Sequence, residues 1–156
     1  MSLLKTDFFR KALATGWVVA LLKRVVPPLD RFLLRISRGY LNTAMQPVAL
    51  LRTVGAKSGR PRESALICMP VEDGFVLVGS NWGGERAPAW VHNLRANPRA
   101  HIVFRGYAGA VNARELAGEE RAATWARLLE FNPQYSVYQA GTARTLPVIL
   151  LQRTAG

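Results

Sequence analysis

The sequence predicts a mainly β domain with helices, an α+β fold built on a small six-stranded barrel. Two observations lead there. From Val48 onward, short apolar runs are separated by tight, glycine-bearing turns. Strand and helix never alternate long enough to require a doubly wound parallel sheet, so a barrel closed by hairpins is the better solution. The first forty residues have helical spacing instead, which divides the chain into a helical extension (residues 1–40) and a barrel domain (residues 41–156).

The elements follow in order. Residues 4–25 read as a helix that ends at Pro27-Pro28, because proline has no N–H to donate to the helical ladder. Leu29, Phe32, Leu33 and Ile36 carry a second helical stretch over 29–38, stopped by Gly39. The period then changes. Val48–Val54 is a strand, 55–62 a basic turn-rich loop, Ser64–Met69 a second strand, and Phe75–Ser80 a third beyond the tight turn Glu72-Asp73-Gly74. Residues 81–86 form a glycine-bearing loop. Pro88 opens a helix that runs to Asn97, ahead of Pro98. His101–Phe104 and Ala108–Leu116 form a hairpin about Gly106, and Glu119–Phe131 is an amphipathic helix. A short loop with Tyr135 and Tyr138 leads to the last strand, Pro147–Leu151.

Composition narrows the function. The chain has 156 residues, one domain's worth, with 49% apolar residues. A single cysteine, Cys68, excludes an internal disulfide, and with two histidines it leaves too few soft ligands for a structural zinc site. The charge is +11, unevenly spread: residues 1–62 hold twelve Lys/Arg and two Asp/Glu, residues 63–156 nine and eight. Such a basic segment suits nucleic acid, an anionic membrane surface or a polyanionic small molecule. Nucleic acid is disfavoured, because residues 63–156 are nearly charge-balanced and no basic stripe is interleaved with aromatics. Ala12–Leu22 is too short to span a bilayer and lacks a signal-peptide cleavage site. With Phe8, Phe9, Leu13, Trp17 and Leu21 on one face, flanked by Arg10, Lys11, Lys23 and Arg24, it fits either a membrane interface or a protein surface such as a second subunit.

Three stretches carry chemistry. Gly55-Ala56-Lys57-Ser58-Gly59-Arg60-Pro61-Arg62 is not a Walker loop, but its composition suits an oxyanion. Gly55 and Gly59 let backbone N–H groups converge, Ser58 adds a hydroxyl, and Lys57 and Arg62 add charge. In the second stretch, Ser80-Asn81-Trp82-Gly83-Gly84 permits close backbone approach to a flat ligand. Trp90 and Asn93, three apart on the next helix, offer an aromatic plane beside an amide. The third holds Tyr135 and Tyr138, two phenols able to close over a pocket and donate a proton. His92 and His101 read as ordinary helix and strand residues, and Glu119-Glu120 as a helix start. No nucleophile elbow or carboxylate pair is present.

In order and spacing, these stretches resemble the deazaflavin (F420)-dependent nitroreductase family of actinobacteria. The resemblance runs from about Asp30 to Leu151. It is carried by Lys57-Ser58-Gly59 with Arg62, by Trp90-Val91-His92-Asn93-Leu94 running to Asn97-Pro98, and by Tyr135-Ser136-Val137-Tyr138-Gln139 followed by Pro147-Val148. It implies a split β-barrel of the flavin-reductase type and coenzyme F420, an 8-hydroxy-5-deazaflavin with a phosphate and an oligoglutamate tail. The implied reaction is hydride transfer from the reduced coenzyme to a quinone, nitro compound or activated alkene. By motif, Lys57, Ser58, Gly59 and Arg62 would hold the phosphate. Ser80, Asn81, Trp90 and Asn93 would hold the deazaflavin, and Tyr135 and Tyr138 would line the acceptor side. The sequence departs from the family at Ala56, where arginine is usual, and at Ile67 and Asn132, where nitroimidazole-activating relatives have tyrosine. FMN, also a phosphate with a flat ring, is the alternative cofactor. The implied setting is cytoplasmic, with peripheral contact to the membrane's inner face and a homodimer as the further expectations.

Overall fold

A computed structural model describes residues 16–41 and 46–154. The apolar positions Phe8, Phe9 and Leu13 and residues 4–15 of the predicted first helix lie outside the described residues. Seven strands form one antiparallel sheet in the order β2-β1-β5-β6-β7-β4-β3. They are β1 (Val48–Val54), β2 (Pro61–Ile67), β3 (Met69–Val71), β4 (Gly74–Val78), β5 (Arg99–Phe104), β6 (Tyr107–Glu115) and β7 (Val148–Arg153). The helices are α1 (Gly16–Ile36), α2 (Ala89–Ala96), α3 (Gly118–Phe131) and α4 (Gln134–Ala140).

The seventh strand corrects the predicted count of six. Ser64–Met69 reads as one apolar run, yet it divides at Cys68: β2 lies at one end of the sheet order and β3 at the other. One residue therefore hands the chain from edge to edge, and the sheet must curl to bring its ends together. Cys68 is fully buried at this seam, and its N–H donates to the Pro47 carbonyl at 2.8 Å. Burial pushes its thiol up to about 12.

Both faces of β1 and β4, each second from an end of the sheet order, are covered, which explains their apolar runs Val48–Leu51 and Phe75–Val78. In β1, Ala49 and Leu51 enter the main core with Phe75, Trp90, Ile102 and Leu151, while Val48 and Leu50 meet Leu34 of α1 and Val103 on the other face. In β4, Phe75 and Leu77 join the main core, whereas Val76 and Val78 pack with Leu128 of α3 and Tyr135 of α4.

Two helical expectations are corrected. Pro27 and Pro28 do not end the first helix; they lie inside α1, which joins both predicted stretches. The prolines remove the donors for the carbonyls one turn back, at Lys23 and Arg24. All four residues are exposed, so water can serve those carbonyls and the helix continues. The helix ends at Gly39 (φ +88), whose N–H donates to the Leu34 carbonyl. The loop predicted around Tyr135 and Tyr138 is the helix α4, opened by Pro133, whose fixed φ favours a helical first turn.

Candidate active site

The basic loop between β1 and β2 is tied from behind. Gly55 N–H donates to Arg60 O at 2.8 Å and Gly59 N–H to Gly55 O at 2.9 Å, closing the turn on itself. Ala56 N–H donates to Asn93 Oδ1 of α2 at 2.9 Å, and Asn93 Nδ2 donates to Thr53 Oγ1 at 3.1 Å. Asn93 is 7% exposed, so an internal amide spends both its ends on β1 and the loop that follows. The N–H groups of Lys57 and Ser58 have no acceptor among the described residues. A Cβ on Gly55 would lie 2.5 Å from Ser58 Oγ, so glycine leaves the hydroxyl its place, with Arg62 Nε in ordinary contact range at 3.6 Å.

Lys57, Arg60 and Arg62 are exposed and meet no carboxylate among the described residues. The neighbouring acid, Glu63, is already committed to Arg35 of α1 at 2.9 Å and Arg52 at 3.6 Å. The loop thus presents unneutralised cations, two N–H donors and a hydroxyl, a donor set that suits a phosphate. Gly59, predicted to add its N–H to that set, turns it inward to Gly55 instead.

The second loop leaves β4 as a left-handed turn. Asn81 (φ +43), Trp82 (φ +59) and Gly83 (φ +77) adopt positive φ in succession. A residue with a side chain held there costs about 1–3 kcal/mol and persists only when its surroundings impose it. Arg144, between α4 and β7, supplies part of that constraint. Its Nε donates to Gly84 O at 2.8 Å, and its Nη2 to Ser80 O at 2.9 Å and Gly79 O at 3.1 Å. Burial lowers the pKa of this guanidinium. Its Nη1 is buried with no partner among the described residues. Against the turn lies α4: a Cβ on Gly83 would sit 3.2 Å from the Tyr138 carbonyl oxygen. Trp82 is 73% exposed.

The predicted residues therefore separate into groups. Lys57 and Ser58 lie on the basic loop and Arg62 at the start of β2, with Ser58 Oγ and Arg62 Nε both beside Gly55 and Asn93 behind the loop. Ser80 and Asn81 lie on the left-handed turn, beside half-buried Tyr138. Trp90 and Tyr135, read as ring-holding and acceptor-lining, are each 4% exposed and belong to the core. Trp90 shares the buried face of α2 with Asn93, and its ring packs into the core with Val91 and Leu94. Burial pushes the Tyr135 phenol up to about 12, against the lowering effect of its hydrogen bond with Asn132. His92 is exposed on α2 and His101 half-buried on β5. Thr53 and Arg144 escape the sequence reading. Thr53 reads as a strand residue, and Arg144 acts on carbonyl groups, which leave no mark in a sequence.

A family model for the F420H(2)-dependent quinone reductases matches residues 35–153. The chain belongs to that family. It is thereby an F420H2-dependent oxidoreductase, with F420 as its coenzyme. It is 36% identical over 110 residues to an F420H(2)-dependent quinone reductase of Mycobacterium tuberculosis, covering 69% of this chain and 74% of that one. Among solved structures, an F420-H2-dependent reductase matches with a TM-score of 0.63 and 34% identity, over 68% of this chain and 94% of its own. Another, described as a domain-swapped dimer, matches with a TM-score of 0.65 and 30% identity, over 89% and 99%. No described helix is long and apolar enough to cross a membrane.

Proposed function

We propose that the basic loop holds the coenzyme's phosphate, that the left-handed turn and Tyr138 frame its ring, and that the acceptor is a quinone. The observation that carries this reading is the loop itself: among the described residues Lys57, Arg60 and Arg62 meet no carboxylate and two N–H groups no acceptor, and Asn93 fixes the whole from behind. Reduced F420, when bound, supplies the hydride. What the chain adds is placement. Lys57 brings a mobile point charge and Arg62 a planar fork to the phosphate, and the Ser58 hydroxyl completes the set. Asn93 acts by shaping the loop, not by touching the ring. The turn's backbone supplies a flat wall next to Tyr138, whose half-buried phenol can donate a proton to a quinone oxygen. Tyr135 is the weaker candidate, being internal and made a poorer acid by burial.

The test is titration with F420 and with FMN, followed by oxidation of the reduced coenzyme against a panel of quinones, nitro compounds and enones. Binding of F420 with quinone turnover is expected. Stable retention of FMN with no affinity for F420 would overturn the reading.

The exposed face of α1 supports a further contact. Trp17, Leu21, Val25, Leu29, Phe32 and Ile36 form an apolar stripe, with Lys23, Arg24 and Arg31 on the same helix. Among the described side chains of α1, Leu34 alone is fully buried against the sheet. We infer that the stripe lies on an anionic membrane surface, where apolar insertion and basic side chains act together. Co-sedimentation with anionic but not neutral vesicles is expected. A stable dimer in solution that no longer binds vesicles would assign the stripe to a second subunit.

A further inference from the structure

We infer that Arg144 is a positioning residue for hydride transfer, holding the Gly79–Gly84 turn in its left-handed form and fixing it against the helix that carries Tyr138. The inference rests on the reading above in which that turn frames the coenzyme ring.

Three features converge on this role. The guanidinium reaches both ends of the turn at once, Gly79 and Ser80 on one side and Gly84 on the other, so one rigid plane sets the spacing between them. The turn needs such a clamp, because a tryptophan at φ +59 does not hold that conformation by preference. Arg144 is itself fixed to α4: Gln139 Nε2 donates to the Arg144 carbonyl at 2.7 Å, and Leu146 N–H donates to Gln139 Oε1 at 3.0 Å. Gln139 follows Tyr138 directly. The turn and the phenol are therefore held from one anchor, and the gap between them is set by Arg144.

A lysine cannot replace this arrangement. Its three donors radiate from one atom, whereas the fork addresses carbonyls on two sides. Among the described residues no carboxylate pairs with this cation, so its hydrogen bonds to the turn are what it contributes here.

The experiment uses Arg144→Gln and Arg144→Lys in the full chain, with Trp82→Gly added to each. Hydrogen exchange of amides 80–84 is measured without ligand. Affinity is measured for F420 and for a deazaflavin fragment lacking phosphate and tail, and turnover is measured with a quinone. Faster exchange is expected in both single variants, on the order of tenfold. Fragment affinity should fall on the order of tenfold, with the same fractional loss for full F420 and a lowered kcat. Trp82→Gly should restore part of both, because glycine adopts φ +59 without strain. Unchanged exchange at 80–84 would overturn the clamp and leave the proposed function standing. Faster exchange with binding and turnover unaltered would overturn the positioning role and show that the turn does not frame the ring. Should Arg144→Gln not fold, Arg144→Lys, which keeps the charge, carries the same three measurements.

Discussion

The two loops solve opposite problems. The Gly55–Arg62 loop keeps its charges outward and is held by backbone hydrogen bonds and one buried amide behind it. The Gly79–Gly84 turn carries almost no charge and, beyond its own hydrogen bonds, is held by a cation from elsewhere in the chain that binds its carbonyls. One loop is built to spend electrostatics on a ligand; the other spends electrostatics on itself to keep a costly shape. The contrast teaches that a basic residue near a site can serve the ligand or the scaffold, and that its acceptors decide which.

The largest effect expected is on the outward cations. Lys57→Ala or Arg62→Ala should weaken F420 binding by about 1.5–3 kcal/mol, roughly ten- to a hundredfold, with thermal stability unchanged. Affinity for a fragment lacking the phosphate should stay near the wild-type value. Equal losses for both ligands would erase the distinction between the loops, because the basic loop would then not be reading phosphate.

Asn93→Leu should cost both stability and affinity. It leaves Ala56 N–H and Thr53 Oγ1 without their partner, a loss of about 1–3 kcal/mol for buried polar groups. A thermal melt that shifts down while F420 affinity also falls would place Asn93 as the loop's support. Lost affinity with an unmoved melt would place it on the ligand.

Paired glycine substitutions compare the loops directly. Gly59 (φ +67) and Gly83 (φ +77) both strain an alanine, at about 1 kcal/mol. A Cβ at Gly59 meets open space, whereas at Gly83 it presses on the Tyr138 backbone. Gly83→Ala should therefore lower kcat and stability more than Gly59→Ala does. Equal effects would mean that the contact with α4 is not what makes the turn exacting.

The smallest effect is alkaline. Cys68 and Tyr135 both have pKa values raised by burial, to about 12 from 9.0 and 10.0. Each keeps its proton longer in the folded state, so its contribution is complete below the unfolded pKa and is lost as pH rises towards 12. Stability should begin to fall near pH 9, the ordinary value of the Cys68 thiol. Cys68→Ala should delay that onset towards pH 10, followed by urea melts across the range.

The sequence made the outward loop legible and the clamped turn half so. Lys57, Ser58 and Arg62 announce themselves because charge and hydroxyl are side-chain properties at short spacing. The strand Val48–Val54, the Gly106 hairpin and the helix after Pro88 were equally readable, since local period and turn chemistry set them. Other features depend on distant partners. The division at Cys68 answers to the closing of the sheet, and nothing local separates Ile67 from Met69. The helix passes through Pro27-Pro28 because its lost hydrogen bonds face water, a matter of burial and not of propensity. Trp90 and Tyr135 could have pointed either way until the core was assembled.

The seam at Cys68 also restricts how this chain can change in length. Side chains alternate across a strand with a period of two, so one extra residue at the hand-over would turn the whole of β2 or β3 inside out. Two extra residues would restore the alternation and lengthen only the crossing. At this crossing the chain counts by parity, and insertions there are acceptable in pairs.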